Sequence, residues 1–252
     1  MAGPNGRQAR IEALRQQIAK AQSFSARSDE VLFLGIAEVD ACLNAGLARG
    51  ALHEVAAADH RSIPAALGFL LALTTISLPK KGRGNPCVLW PFARQTHPFG
   101  MPYAPGLRFF GLDPSRIVFV RCATARDGLW AMEEGLHLGG IAAVIGTRAK
   151  AMDLTASRRL QLAAEQAATP VFLLRNHTDS GPSAAVTRWR VSPAPSTRDE
   201  FDFTKNARFR VALEYARGGK TGEWVMEWNS DAHSLRLSSA LGDRAAGEDR
   251  AA

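Results

Sequence analysis

The chain has 252 residues, of which 46% are hydrophobic, and its formal net charge at pH 7 is +7. This length and apolar content predict one sizeable core with short appendages and argue against a disordered chain. The sequence has no apolar run of about 18 residues, which argues against a membrane span, and it begins without a secretory signal. We therefore expect a cytoplasmic protein, with association with the nucleoid as a further possibility.

Cysteine content and charge narrow the class of protein further. The three cysteines, Cys42, Cys87 and Cys122, are odd in number and widely spaced, so we interpret them as small buried apolar residues. Such a basic charge balance is compatible with a solvated surface or with an acidic partner, either DNA or an acidic protein face. Basic side chains exceed acidic ones in three stretches, residues 7–27, 80–94 and 188–220.

The first predicted element is a helix over residues 7–22. Ile11, Leu14 and Ile18 recur at helical spacing and form one narrow apolar stripe, while arginine, glutamine and lysine occupy much of the remainder. Such a stripe suits docking onto another surface, either the protein's own core or a neighbouring molecule. A polar linker follows, so residues 1–30 are predicted to be a docking helix and linker separate from the core.

The predicted core, residues 31–228, begins as an alternation of strands and helices. Apolar strand patterns separated by helical patterns of about 10–15 residues indicate βαβ units and a mainly parallel sheet. The first of the long helices is apolar on nearly all sides, so we expect it to be buried. The predicted strands are residues 51–57, 87–92, 117–122, 141–146 and 170–176, and the predicted helices are residues 62–77, 127–138 and 154–168.

After Gly181 the pattern changes to strands joined by turns. The segments AAVTRWRVSP, ARFRVALEYA and EWVMEWN are predicted to be antiparallel strands at one edge of the sheet. Residues 229–252 are small and polar and are predicted to be a flexible tail. Within it, Leu235 and Leu237 are interpreted as the end of the last strand or as a short docking peptide. The predicted class is therefore α/β, with a mainly parallel central sheet flanked by helices, antiparallel strands at one edge and a separate N-terminal helix.

The segment ALHEVAAADHRSIPAALGFLLAL has the strand–turn–helix layout that usually holds a nucleotide phosphate. Its turn contains no glycine to let the backbone approach a phosphate and no lysine to bind one. Asp59 places a negative charge where phosphate would lie, and only Arg61 and Ser62 are suited to an anion. Ser62 is also the predicted cap of the helix, and Pro64 fits its first turn. We interpret Asp59, Arg61 and Ser62 as a vestigial phosphate turn.

The carboxylates that nucleotide hydrolysis requires are also missing from the sequence. No Asp or Glu occurs between Asp59 and Asp113, and none occurs in residues 141–152, where the strand ends in Gly146. Because hydrolysis needs acids to organise Mg²⁺ and orient water, we expect no ATPase activity, no catalytic residues and no cofactor. The six histidines show no metal-ligand spacing, so no metal site is predicted.

The order of these elements resembles the RecA-like core. LGIAEVDACLNAGLARGALHEV resembles the RecA segment that leads into the phosphate-binding strand. CVLWPF resembles the next strand, IAAVIG the Mg²⁺ strand, and PVFLLRN the strand that senses phosphate in active relatives. RIEALRQQIAKAQ is similar to the N-terminal helix through which RecA subunits dock on one another.

A more specific resemblance covers about residues 8–228. LTASRRLQLAAEQAATPVFLLR, the altered phosphate turn and the ending GEWVMEWN look like the ImuA family of damage-inducible mutagenesis proteins, distantly similar to SulA. This resemblance implies a non-catalytic adaptor in SOS-induced translesion synthesis. Its implied partners are RecA recombinase, ImuB, which is an inactive relative of Y-family polymerases, and an error-prone C-family DNA polymerase. With this resemblance, the predicted partner-binding residues are Ile11, Leu14 and Ile18.

Three alternative functions stay open at this point. One is a SulA-like inhibitor of cell division that binds FtsZ. Another is a nucleotide-binding regulator without turnover, against which the glycine-free turn argues. The third is an accessory protein that contacts single-stranded DNA weakly and with strong salt dependence. Its predicted DNA-binding residues, which could equally belong to an exposed strand face, are Arg188, Arg190, Lys205, Arg208 and Arg210.

Overall fold

A computed structural model describes most of the chain between residues 31 and 238. The predicted N-terminal helix lies outside the described residues, and so do Lys205 and the last residues of the chain. The described ranges are residues 31–44, 46–79, 87–93, 102–147, 152–179, 181–196 and 206–238.

The described chain begins with a small hairpin-like unit. Strand β1 (Val31–Leu32) pairs antiparallel with strand β2 (Leu47–Ala48), and helix α1 (Ala37–Cys42) lies between them in sequence. The carboxylate of Asp40 accepts hydrogen bonds from the backbone N–H groups of Leu34 and Gly35, at 2.9 and 3.1 Å. Because these donors precede α1, the contact holds the turn between β1 and the helix.

The predicted alternation of strands and helices is present in the structure. The elements from the phosphate-type strand onward are β3 (Leu52–Ala57), α2 (Ile63–Ser77), β4 (Cys87–Ala93), α3 (Ala104–Phe109), β5 (Ile117–Cys122), α4 (Ala125–His137), β6 (Ile141–Thr147), α5 (Leu154–Ala167) and β7 (Val171–Arg175). The strands that follow are β8 (Thr187–Pro193), β9 (Arg208–Ala216), β10 (Gly222–Asn229) and β11 (Ser234–Leu237).

Strands β3 to β11 form one nine-stranded sheet in the order β11-β10-β9-β8-β3-β7-β6-β4-β5. The neighbours from β8 to β5 are parallel, whereas β8 to β11 pair antiparallel. The predicted α/β class, with a mainly parallel sheet and antiparallel strands at one edge, is therefore confirmed. Strand β8 differs from the prediction because it belongs to both parts, parallel to β3 and antiparallel to β9.

Helices cover both faces of the parallel part of the sheet. On one face lies α2, which is buried on most sides as predicted, and its Phe69 ring packs 5.6 Å from Trp189 and 6.0 Å from Phe209. On the other face, Met132 of α4 and Leu160 of α5 join the apolar layer of the sheet. All six residues of β3 are buried, as expected for a central strand that is covered on both faces.

Helix α4 starts two residues earlier than the sequence indicated. Thr124 occupies the capping position, and its hydroxyl accepts from the Asp127 N–H at 3.2 Å. The Asp127 carboxylate accepts in return from the Thr124 N–H at 2.9 Å. This reciprocal arrangement satisfies two backbone donors that the first turn leaves free.

The sheet continues into residues that the sequence analysis assigned to the tail. Leu235 and Leu237 lie in β11, a separate strand that pairs with β10 rather than an extension of it. Leu235 is buried in the core, and the His233 ring stacks on Trp228 with centroids 6.3 Å apart. Two apolar residues at alternate positions are thus enough to add a strand, because a neighbouring strand edge is available.

His53 connects the central strand to the elements on either side. Its Nε2 lies 2.7 Å from the carbonyl oxygen of Ala48, which can only accept, so Nε2 carries the proton. Its Nδ1 accepts from the Thr187 hydroxyl at 2.9 Å, and that hydroxyl accepts from the indole N–H of Trp189 at 2.9 Å. Burial lowers the pKa of His53 from 6.5 to about 4, so the neutral ring that this chain of bonds requires is the favoured form.

We expect the His53 network to make folding stability dependent on pH. The unfolded chain takes up the proton near pH 6.5 and the folded chain near pH 4, so stability is lost as pH falls between these values. The loss amounts to about 2 kcal/mol by pH 5. The measurement is urea unfolding of the protein and of His53→Gln at several pH values. The free-energy advantage of the unaltered protein should shrink toward pH 5, and a constant difference would contradict this account.

Candidate functional site

The turn after β3 is closed by the protein's own carboxylate. Asp59 adopts an extended conformation, and its Oδ1 accepts from the backbone N–H and from the hydroxyl of Ser62, both at 2.8 Å. These hydrogen bonds, first that of the hydroxyl and then that of the N–H, hold the pKa of Asp59 below its ordinary value. Ser62 occupies the predicted capping position of α2, but its side chain makes no capping bond and donates to Asp59 instead.

This geometry matters because the N-terminus of a helix attracts anions. A bound phosphate would use the free N–H groups and the positive end of the helix dipole at this turn. In the structure the Asp59 carboxylate already takes the N–H and the hydroxyl of Ser62. Arg61 is exposed, and the ring of His60 lies 6.2 Å from that of His177, which follows β7. The turn therefore carries a built-in anion where the sequence layout suggested a phosphate site.

The end of β6 is filled by apolar side chains. A Cβ atom on Gly146 would lie 2.7 Å from Leu173 Cδ1 and 2.7 Å from Met132 Sδ. An acidic side chain at this position would have to displace both neighbours and enter the apolar layer beneath α4. The absence of a carboxylate at Gly146 is thus matched by apolar packing, which the side chains of Leu173 and Met132 would have to leave to admit one.

A buried ion cluster joins the middle of β3 to the end of β7. Arg175 Nη1 donates to Glu54 Oε2 at 2.7 Å, and Arg175 Nη2 lies 2.8 Å from Asp179 Oδ1. The Ser183 hydroxyl donates a hydrogen bond to Glu54 Oε1 at 2.6 Å. Burial alone would lower the pKa of Arg175, but the hydrogen bonds and charges of Asp179 and Glu54 outweigh it and raise that pKa. The side chains are nearly inaccessible, at 8% for Arg175, 3% for Glu54 and 7% for Asp179.

The arginines predicted to contact DNA lie on the sheet face opposite α2, but carboxylates engage three of the four that are described. Arg188 Nε lies 3.4 Å from Glu54 Oε2, and its guanidinium lies 6.0 Å from the centre of the Tyr215 ring. Arg190 forms an ion pair with Glu214. Arg210 is exposed on the same face. Lys205 lies outside the described residues.

Glu227, on the same face, binds Asn206 and two arginines. It accepts from Asn206 at 2.8 Å, from Arg208 at 2.5 Å and from Arg236. Burial would raise the pKa of Glu227, but these donors outweigh it and lower the pKa to about 2. Arg208 is consequently part of a neutralising pair and offers little free positive charge to a polyanion.

A polar cleft of about 150 Å³ joins the ion cluster to the strand arginines. Its charged lining consists of three acids and three arginines, so it has no net formal charge. Such a cleft does not produce the positive field that attracts nucleic acid. The charged residues that line it are Glu54, Asp179, Glu214, Arg175, Arg188 and Arg190.

Several of these residues were not singled out by the sequence analysis. Glu54 stands inside an apolar strand, and Arg175 ends another one. A charge within a continuous apolar run is the signal that would have pointed to a buried pair, because such a charge needs a partner. Asp179 lies only four residues after Arg175, but in a polar segment where a carboxylate attracts no notice. Glu227 carries no comparable signal, since its partners Asn206 and Arg208 lie on other parts of the chain.

The part of the chain that the structure describes contains neither a metal-binding cluster nor a membrane-spanning helix. Within these ranges no group of three or more His, Cys, Asp or Glu side chains is arranged to hold a metal ion. Within the same ranges, no helix is both long enough and apolar enough to cross a membrane. Ile11, Leu14 and Ile18, the predicted partner-binding residues, belong to the segment that is not described.

The fold and the site define an α/β protein with the strand–turn–helix frame of a phosphate site but with an aspartate in place of its ligand-binding groups. No protein-family model matches the chain. It is 34% identical over 230 residues to Protein ImuA of Caulobacter vibrioides, which covers 84% of this chain and 91% of the relative. Protein ImuA of a second strain of that species has the same identity and coverage. The chain therefore belongs to the ImuA family, and this membership supports a role in damage-inducible mutagenesis.

Gly146→Asp, which restores an acid at the end of β6, should destabilise the fold. The carboxylate would enter the space held by Leu173 and Met132, and we expect a loss of about 3 kcal/mol or more in the free energy of unfolding. The matched control is Gly128→Asp, because a Cβ atom there meets nothing within 4 Å. Its effect should stay within about 1 kcal/mol. Equal urea midpoints for the two variants would show that the space at Gly146 is not closed.

Arg175→Met should be strongly destabilising because it leaves the buried carboxylates of Glu54 and Asp179 without their cation. Removing one partner of a buried ion pair costs about 3–5 kcal/mol. Arg188→Met is the control on the same cleft, since this side chain is 27% exposed and lies farther from Glu54. We expect it to cost less than about 1 kcal/mol in the same denaturation experiment. Similar losses of unfolding free energy in both variants would show that Arg175 is no more important to stability than Arg188.

Proposed function

We propose that this protein is a non-catalytic adaptor in SOS-induced mutagenic translesion synthesis. In this proposal it bridges RecA recombinase and a complex of ImuB with an error-prone C-family DNA polymerase. It works through protein surfaces and needs neither a nucleotide nor a catalytic residue. Membership of the ImuA family supports the placement in damage-inducible mutagenesis.

The observation that supports a non-catalytic role most directly is the Asp59 side chain at the start of α2. It takes the N–H and hydroxyl of Ser62 and places a negative charge where a nucleotide phosphate would lie. Binding a phosphate there would require breaking these bonds and overcoming repulsion between like charges. The packing around Gly146 adds a second, independent obstacle to a Mg²⁺-dependent reaction.

We interpret the core as RecA-like, and the strand order supports this interpretation. The strand–turn–helix unit lies at the middle of the sheet, with β7, β6, β4 and β5 on one side of β3. On the other side, β8 runs parallel to β3 and leads into the antiparallel strands. A core of this kind that does not bind ATP could not drive a filament cycle, but it could still present surfaces that a RecA subunit recognises.

The surface we assign to partner binding is the apolar stripe of Ile11, Leu14 and Ile18. Its residues recur at the spacing of one helix face, which is the pattern of a helix that docks into a groove on another protein. We propose that it docks where a RecA subunit expects its neighbour, so that the protein caps or remodels a filament end. Direct DNA contact is the weaker candidate, because carboxylates engage Arg188, Arg190 and Arg208.

We expect Leu14→Asp/Ile18→Asp to abolish capture of RecA and ImuB. Two carboxylates on the apolar stripe would have to be buried in the partner groove without compensating charges. The measurement is affinity purification of the tagged full-length protein from cells exposed to a DNA-damaging agent, with nuclease treatment, followed by mass spectrometry.

Ala13→Asp/Gln16→Asp is the matched control, because it adds the same charge on the opposite side of the predicted helix. Undiminished capture of RecA and ImuB by Leu14→Asp/Ile18→Asp would show that the stripe is not the binding surface. Recovery of FtsZ alone by the unaltered protein would replace the adaptor proposal with the cell-division inhibitor. Loss of all partners on nuclease treatment would make DNA contact the primary function.

A further inference from the structure

Exposed apolar side chains are concentrated on two neighbouring helices. Of the nine large apolar side chains that are exposed in the described part of the chain, four belong to α4, to α5 or to the residue after α4. Trp130 is 62% exposed and Leu162 is 56% exposed. Tryptophan is one of the residue types enriched at the energetic centre of protein interfaces, together with tyrosine and arginine. The four residues are Trp130, Leu138, Leu154 and Leu162.

Trp130 and Leu162 flank an ion pair that spans the two helices. Glu133 of α4 pairs with Arg159 of α5. Trp130 precedes Glu133 by three residues and Leu162 follows Arg159 by three, so each lies one turn from the pair and near its side of the helix. The helices run in the same direction because both connect parallel strands. At 1.5 Å per residue, the two apolar side chains are therefore offset by about 9 Å along the helix axes.

The predicted helix of residues 7–22 has a matching spacing. Ile11 and Ile18 lie seven residues apart on one face, which corresponds to about 10 Å along a helix. Leu14 lies between them on the same stripe. A helix placed over the groove between α4 and α5, with Ile11 near Trp130 and Ile18 near Leu162, would bury both exposed side chains against its apolar stripe.

The chain enters the core close to this groove. Val31, the first described residue, pairs with Ala48, and the following Gly50 packs against Glu165 and Ala168 at the end of α5. Eight residues separate the end of the predicted helix from Val31, which allows a span of up to about 30 Å. This reach brings the end of the helix to Leu162, one turn before Glu165, without strain.

The charges of residues 7–22 and of the groove between α4 and α5 favour the same placement of the predicted helix. Residues 7–22 carry four basic side chains and one acidic side chain. Glu134 is exposed on α4, one turn after Trp130, and Glu133 lies at the floor of the groove. Basic residues beside the stripe would face these carboxylates, a contribution that is modest at an exposed site. Phe33, 64% exposed where the chain enters the core, would be covered by the linker.

We propose that residues 7–22 dock in cis onto the α4–α5 groove, which we define by Trp130, Glu133, His137, Arg159 and Leu162. The docking itself does not require the proposed partners. One consequence of the docking rests on the proposed function and adds a regulatory step. RecA or ImuB must compete with the α4–α5 groove for the apolar stripe of residues 7–22. Partner binding then exposes Trp130, which makes the adaptor sensitive to the concentration of its partner.

The test is hydroxyl-radical footprinting with mass spectrometry on the full-length protein without partners. We expect oxidation of Trp130 and Leu162 to rise several-fold in Ile11→Asp/Ile18→Asp relative to the unaltered protein. Leu162→Asp should produce the same rise at Trp130 by disrupting the groove side of the contact. Ala13→Asp/Gln16→Asp should leave both rates unchanged. Tyr103, 76% exposed on the α2 side of the sheet, is the internal reference for radical dose. Trp189, which is 1% exposed, should stay protected in every variant that is folded.

Equal oxidation of Trp130 in the unaltered protein and in Ile11→Asp/Ile18→Asp would overturn the proposal. Protection of Trp130 that disappears on about fiftyfold dilution would also overturn it, because a second copy would then supply the helix. Protection that persists on dilution supports docking in cis. Since no partner is present in this experiment, its result is independent of whether RecA and ImuB are captured in the purification experiment.

Discussion

The structure depends on a central strand that is fully buried and yet contains two polar side chains. His53 and Glu54 are adjacent in β3 and therefore point to opposite faces of the sheet. On the α2 side, His53 is satisfied by Ala48 and Thr187. On the α5 side, Glu54 is satisfied by Arg175 and Ser183. Because a buried polar group without a partner is costly, these bonds fix β3 against the β1–β2 unit, β7 and β8 at once.

The region that follows β3 shows how a fold can keep the frame of a ligand site while its contents change. The helix N-terminus still needs an acceptor for its free N–H groups, and Asp59 supplies one from within the chain. The end of β6 still needs to be filled, and Met132 and Leu173 fill it. Both features stabilise the fold through internal contacts. The proposed adaptor role requires no more of this region than such a stable frame.

The fold also changes how the basic composition of the chain is interpreted. The arginines of β8 and β9 stand in a sequence region with an excess of positive charge. On the folded sheet, Arg190 meets Glu214 and Arg208 meets Glu227, so much of that charge is neutralised at short range. The exposed apolar side chains of α4 and α5 then become the more distinctive surface feature. This shift, from charge to apolar contact, agrees with a protein whose partners are other proteins.

The sequence by itself determined the α/β class, the positions of the parallel strands along the chain and the burial of α2. These features follow from apolar periodicity and turn residues, which are local signals. It also determined that the phosphate turn lacks its ligands, since their absence is visible at Asp59 and Gly146 without coordinates. Only the tertiary structure decided that β8 pairs with β3, that Leu235 and Leu237 form an added strand, and that Glu54 and Arg175 neutralise each other. The β3–β8 pairing and the Glu54–Arg175 pair join residues that are distant along the chain, whereas Leu235 and Leu237 pair with β10 across a short turn. Local pattern carries no information about such pairings, which the packing of the whole sheet selects.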